Sequence, residues 1–150
     1  MGVGEDGNGG DPTDIRTVAV RFEDLVSALE FNEQQSGTAV LRLTPPFHGR
    51  MRARLHVEQP GEYSDLAGPT PIHLPPRTFL EAASLPAYPS AEQTRRTVED
   101  QPGEYTVDEH YDTHVESLEG WRAAVRDAVL DSTTIRTAAG ATEITIRLLG

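Results

Sequence analysis

Arg50, Arg52 and Arg54 alternate with Met51, Ala53 and Leu55, and His56 follows at the same step. A period of two puts the guanidiniums on one side of a β-strand and the apolar residues on the other. Arg42 holds the matching place in the preceding run, Ala39 to Leu43. Planar, forked guanidiniums suit bidentate contact with phosphate or carboxylate. Such a row repels itself and calls for an anion. Pairing with carboxylates of the same molecule or of another subunit is the commoner arrangement, and a bound phosphate is the alternative. Phe47, between the two runs, is the one aromatic residue nearby. A binder of single-stranded nucleic acid interleaves several aromatics for stacking, so nucleic acid is not the favoured partner.

His110 and His114 stand one helical turn apart among Asp108, Glu109 and Asp112. That spacing lets two imidazoles share a metal ion. Positions 111 and 112 are Tyr111 and Asp112, so the glutamate of an H-E-x-x-H metalloprotease is missing. A third ligand would have to come from His56, His73 or a distant carboxylate. A core-edge histidine with one hydrogen bond is the commoner arrangement on such a helix. Ser64, Ser84 and Ser117 lie in no G-x-S-x-G elbow, and the chain has no phosphate-binding loop. These residues point to a non-enzymatic binding or assembly module with no catalytic residue and no cofactor. Its contact surface would be Arg42, Arg50, Arg52, Arg54, His56 and Phe47, set against an acidic protein patch or a phosphate group. A nucleic-acid-associated protein using the same arginines, and a metal-dependent enzyme built on His110 and His114, are its rivals.

These residues must be positioned by regular elements. The longest apolar stripe runs Val107, Tyr111, Val115, Leu118, Trp121, Val125, Ala128 at steps of three or four, which predicts a helix over about 106–130. Thr106 and Glu109 form a capping box at its start. A second helix is expected over 22–33, with Phe22, Leu25, Val26 and Leu29 on its apolar side and a strand, Ile15 to Arg21, before it. The arginine runs form a hairpin. With Phe47-His48-Gly49 as a three-residue loop, Leu41 opposes Leu55, Leu43 opposes Ala53, Arg42 opposes Arg54, and Gly49 takes a left-handed conformation. A second hairpin, Thr133 to Thr137 with Thr142 to Leu148, sets Ile135 against Ile144. Between them lies a proline-dense stretch in which Pro75-Pro76 opens a short helix with Phe79 and Leu80, and Ser90 opens a surface helix. Gln-Pro-Gly-Glu-Tyr occurs at 59–63 and again at 101–105, with a type II turn signal in both. The whole predicts an α+β fold: an antiparallel sheet of two hairpins plus an N-terminal strand, packed on one face by two principal helices.

The chain has 150 residues, a formal net charge of -11 and no cysteine, and arginine supplies all 13 of its basic residues. That length suits one domain, 14–150, after a glycine-rich acidic tail, 1–13, that reads as disordered. The absence of cysteine excludes disulfides and zinc–thiolate sites. Neither a signal peptide nor a membrane-spanning run is legible, so a cytoplasmic protein without membrane contact is expected. The edge near Pro45 leaves self-association open. An acid-rich surface suits a concentrated salt solution, where the Debye length falls to roughly 3 Å. The stretch Thr44-Pro-Pro-Phe-His-Gly-Arg-Met-Arg-Ala-Arg-Leu-His-Val57, Trp121-Arg122 on the long helix and the closing Leu149-Gly150 resemble a family of small proteins of halophilic archaea. The resemblance spans nearly everything after the tail. That family has no known activity, so the resemblance implies a lineage and transfers no functional residue.

Overall fold

Val18 and Val20 are fully buried, and the strand that carries them lies in the middle of the sheet. This strand, β1 (Thr17–Arg21), runs directly into a helix, α1 (Phe22–Gln34). The structure, a computed structural model, describes residues 10–90 and 107–150. It divides into two units: the chain through Glu81 together with Val129–Gly150, and Ala82–Ala128.

The first unit holds a six-stranded sheet, in the order β4-β2-β3-β1-β6-β5. Its other strands are β2 (Ala39–Leu43), β3 (Arg50–Val57), β4 (Ile72–Leu74), β5 (Ser132–Thr137) and β6 (Gly140–Leu149). Both expected hairpins form and are antiparallel. β1 lies between them, parallel to β3 on one side and to β6 on the other. The fold is α+β, but the sheet is mixed, not the antiparallel one that the hairpins suggest. Each hairpin leaves one edge of backbone donors and acceptors unpaired, and a strand inserted between them satisfies both. Parallel neighbours need a crossover longer than a tight turn, and α1 with β2 supplies it between β1 and β3.

α1 matches its expected span closely. No side chain caps its start, but Glu23 and Asp24 occupy the first turn, where the helix dipole favours acids. Phe22, Leu25, Val26, Ala28 and Leu29 are buried, and the helix packs on β1, β2 and β3. Full burial of Leu25 or Val26 contributes about 1.5–3 kcal/mol. Near its C-terminus the Asn32 amide acts as a surrogate strand: its Oδ1 accepts from the Ala39 amide at 2.7 Å, and its Nδ2 donates to the Ala39 carbonyl at 3.0 Å. β2 therefore starts at a fixed distance from α1.

β4 is too short to show an alternation in the sequence. Pro71 precedes it and Pro75 follows it, and it pairs with β2 at the edge of the sheet, where flanking prolines cost no ladder bonds. Pro76–Phe79 is a 3-10 turn, shorter than the expected helix, and it buries Phe79 and is followed by buried Leu80. The Phe79 carbonyl accepts from the Leu130 amide at 2.9 Å. At the N-terminal side, Gly10 to Thr13, which the composition assigns to the tail, are hydrogen-bonded: the Gly10 amide donates to the Phe47 carbonyl at 2.6 Å, and Asp11 caps the turn Pro12–Asp14.

The second unit contains α2 (Val107–Ala128). Trp121 is buried and meets Tyr88 edge to face, with ring centroids 4.8 Å apart. Val125 and Ala128 are buried as well, whereas Tyr111 is 66% exposed. The expected stripe is thus buried at its C-terminal end and open at Tyr111. The helix expected after Ser90, the Thr106 cap and the second Gln-Pro-Gly-Glu-Tyr copy lie outside the described residues.

Candidate functional site

The β2–β3 pairing sets Leu41 opposite Leu55, Arg42 opposite Arg54 and Val40 opposite His56, the expected register. Arg50, Arg52, Arg54 and His56 accordingly share one side of β3. The parallel pairing of β1 extends that side. Ala19 is the partner of Arg52 on one edge and of Arg147 on the other, so Arg147 of β6 joins the same face across a small residue. Arg50, Arg54 and Arg147 are exposed, and Arg42 and Arg52 are half-buried. Among the described residues no carboxylate pairs with Arg42, Arg50, Arg52, Arg54 or Arg147. The Arg52 Nε is buried with no hydrogen-bond partner. A buried donor on a cation carries a desolvation cost until an acceptor reaches it.

Three expectations about this hairpin need correction. Residues 44–49 connect the strands, a longer link than the three-residue loop, with a cis bond between Pro45 and Pro46. Phe47 is not on the arginine face: it is 2% exposed, because its ring is worth more inside the core than at a solvent-washed tip. Gly49 is not left-handed; its carbonyl instead accepts the Arg16 and Thr17 amides, each at 2.8 Å, and so ties the link to the start of β1. The two sides are also less cleanly sorted than alternation implies. Val40, on the polar side with His56, is buried, and Leu55, on the apolar side, is 40% exposed.

The arginine face ends at a cluster of histidines and glutamates. Glu62 donates its amide to the Gln59 carbonyl at 3.2 Å, and Gly61 has φ +66, so Pro60-Gly61 makes the expected type II turn. The turn brings Glu62 and Tyr63 against the strands. Glu62 Oε1 lies 2.7 Å from His56 Nε2, and Glu62 Oε2 accepts from the Gln59 amide at 3.0 Å. That amide holds the Glu62 carboxyl below the usual carboxylate range; burial opposes the shift, and His56 and His73 reinforce it. His73 is the register partner of Arg42. Its Nδ1 lies 2.6 Å from Glu58 Oε2 and its Nε2 lies 2.7 Å from the Tyr63 hydroxyl. Arg42 donates to that same hydroxyl at 3.2 Å. The donors balance when Tyr63 gives its own proton to His73 Nε2 and His73 Nδ1–H donates to Glu58. The His56 and His73 rings are 5.1 Å apart. Glu58, Glu62, Tyr63 and His73 line an open depression of about 760 Å³, together with Gly37 and Thr38.

The sequence marks His56, His73 and the Pro-Gly turn as separate features. The available signal was a histidine with glutamates two and six residues on, Glu58 and Glu62, either side of a turn that reverses the chain. His110 and His114 are half-buried on α2. Among the described residues the one group disposed to hold a metal, His56, Glu62 and His73, contains neither of them. No helix among those residues is long and apolar enough to cross a membrane.

A family model for a domain of unknown function, DUF8009, matches residues 5–150. The chain belongs to this family. The matched region of the DUF8009 domain takes in the arginine strand, Arg147 and the whole histidine–glutamate cluster. No curated protein and no solved structure matches the chain.

Proposed function

We propose that this protein is a non-enzymatic binding module whose arginine-bearing sheet face takes an oxyanion-rich partner, the carboxylates of an acidic protein surface. One observation carries the proposal. In a chain of net charge -11, Arg42, Arg50, Arg52, Arg54 and Arg147 converge on one face with no carboxylate paired to them among the described residues. Guanidiniums in adjacent strands repel one another, and an incoming row of carboxylates relieves that repulsion with bidentate contacts. The face is a sheet surface, which suits an extended partner over a small ligand. Burial of Phe47 leaves it without the aromatic that the hairpin seemed to offer for base stacking. A salt-rich cytoplasm belongs to the proposal, and the acidic charge supports it.

The test is binding of a labelled oligoglutamate peptide, followed by fluorescence anisotropy at moderate and at molar KCl, with pyrophosphate and an oligonucleotide of equal charge as competitors. The triple variant Arg50→Gln, Arg52→Gln, Arg54→Gln is expected to bind the peptide at least about tenfold more weakly, since each charged contact contributes about 1.5–3 kcal/mol. Equal affinity of variant and wild type removes the proposal. Stronger competition by the oligonucleotide than by the peptide itself transfers the face to nucleic acid.

A further inference from the structure

We propose that His56, Glu62 and His73 bind one divalent first-row transition metal ion, with Zn2+ as the test case. The three side chains reach one point from three elements: His56 from β3, His73 from β4 and Glu62 from the turn after Pro60-Gly61. One ligand atom of each lies within 4.8 Å of the others. An ion with metal–ligand bonds of about 2.0–2.2 Å needs its ligands roughly 3.3 Å apart. The close His56–Glu62 pair must open slightly and His73 must close slightly. Glu62, on a turn, is placed to make that adjustment.

The donor set fits this chemistry. Two imidazoles and a carboxylate suit zinc, iron, cobalt or nickel, and leave positions open for water. Support behind the ligands is already in place. Glu58 takes the Nδ1–H of His73, which fixes the tautomer that presents Nε2, the carboxylate–histidine arrangement found behind metal ligands. The Gln59 amide steadies the Glu62 oxygen that does not face His56. The side chains of His56, Glu62 and His73 are 17%, 17% and 15% exposed, so they are shielded but not sealed, and Glu62 and His73 line the open depression. On binding, the ion takes the place of the proton between His56 and Glu62, and His56 carries its proton on Nδ1. At His73 the ion displaces the Tyr63 hydroxyl, which keeps its hydrogen bond from Arg42. Without an ion, the same contacts serve only to fasten the turn to the sheet, and that structural role is the rival account.

The experiment uses the full chain made without a histidine tag and stripped with a chelator. Co2+ is titrated in and its visible absorption followed, and Zn2+ is then used to displace it. One equivalent is expected to bind in the micromolar range or tighter. His73→Gln and Glu62→Gln should each weaken binding by about tenfold or more, and Glu58→Gln, acting through His73, by about 10–100-fold. The double variant His110→Gln, His114→Gln should bind like the wild type. Wild-type chain gives a readout that no folding defect can confuse: Zn2+ should shift the imidazole resonances of His56 and His73 in nuclear magnetic resonance and leave His48 in place. Absence of binding, shifts confined to His110 and His114, or equal affinity in the His73 and Glu62 variants overturns the site and leaves the cluster as a fastening of the turn.

Discussion

The two hairpins bury similar residues but fix their registers by different means. In β2–β3 the link is long, residues 44–49, and holds no positive-φ glycine. Its pairing is set by the strands: Leu41 meets Leu55 and Ala39 meets Val57. In β5–β6 only Ala138 and Ala139 separate the strands. The Thr137 hydroxyl accepts the Ala139 amide at 3.1 Å and donates to the Gly140 carbonyl at 2.7 Å, and Gly140 takes φ +126. The turn therefore dictates the pairing there, with Ile135 opposite Thr142 and Thr133 opposite Ile144. The sequence places Ile135 opposite Ile144, two residues away. A shift of two preserves the face, so Ile135, Ile144 and Ile146 are buried as expected although their partners differ. Which side a strand residue takes is a property of its own alternation; where the link is a tight turn, which residue it meets is a property of that turn.

If the strands set the first register, its buried side must dominate stability. Leu41 is fully buried, and Leu55 across from it is 40% exposed. Leu41→Ala should cost about 2–5 kcal/mol in a denaturant titration, and Leu55→Ala about 1 kcal/mol or less. Equal losses would mean that the pair acts as one cluster and that Leu55 is covered in solution. If the turn sets the second register, its glycine must be irreplaceable while that of the first is not. Gly140→Ala should destabilise by about 1–2 kcal/mol, because the conformation at φ +126 is hostile to a Cβ even where space is open. Gly49→Ala meets no atom within 4 Å and no positive φ, so its effect should lie within about 0.5 kcal/mol of zero. A large loss at Gly49 would return the β2–β3 register to its link.

The same distinction separates what was legible in the sequence from what was not. α1 and both hairpins rest on periodicity and nearby turn residues, and all three form. The arginine row on β3 and its pairing with Arg42 follow from the same alternation. Arg147 could not be added, because it reaches the face only through the parallel insertion of β1, and parallel pairs leave no turn signature in the chain. β4, three residues among prolines, gave too short a run for any alternation to register. The Pro60-Gly61 turn was readable from its residue types, but the landing place of Glu62 and Tyr63 depends on the path of the chain beyond it. On α2 the spacing identified an apolar side. It could not say that Trp121 and Val125 would be buried and Tyr111 exposed, since cover comes from elsewhere in the chain.

The smallest expected effect asks whether the long link relies on its own packing or on the segment beside it. Gly10 donates to the Phe47 carbonyl, and one residue later Asp11 begins a capped turn. Asp11 Oδ1 accepts from the Thr13 hydroxyl at 2.6 Å and from the Thr13 amide at 2.9 Å. These bonds, the hydroxyl first, hold the Asp11 carboxyl below its usual value against a slight opposing effect of burial. A carboxyl lowered by folding adds stability that is complete above its unfolded value and fades as pH falls through its folded value. The group is exposed, so the effect should be local and read by amide exchange, not by global unfolding. Below the ordinary carboxylate range, protection of the Thr13 and Gly10 amides, corrected for intrinsic exchange, should fall while that of the central strand persists. Asp11→Asn, which keeps an acceptor but cannot titrate, should weaken the pH dependence, and the Asp14 carboxylate, which accepts the Asp11 amide at 3.0 Å, stays in place in that variant. If Gly10 keeps its protection in acid, burial of the Phe47 ring alone holds the link, and the two hairpins differ in turn chemistry without any help from the N-terminal segment.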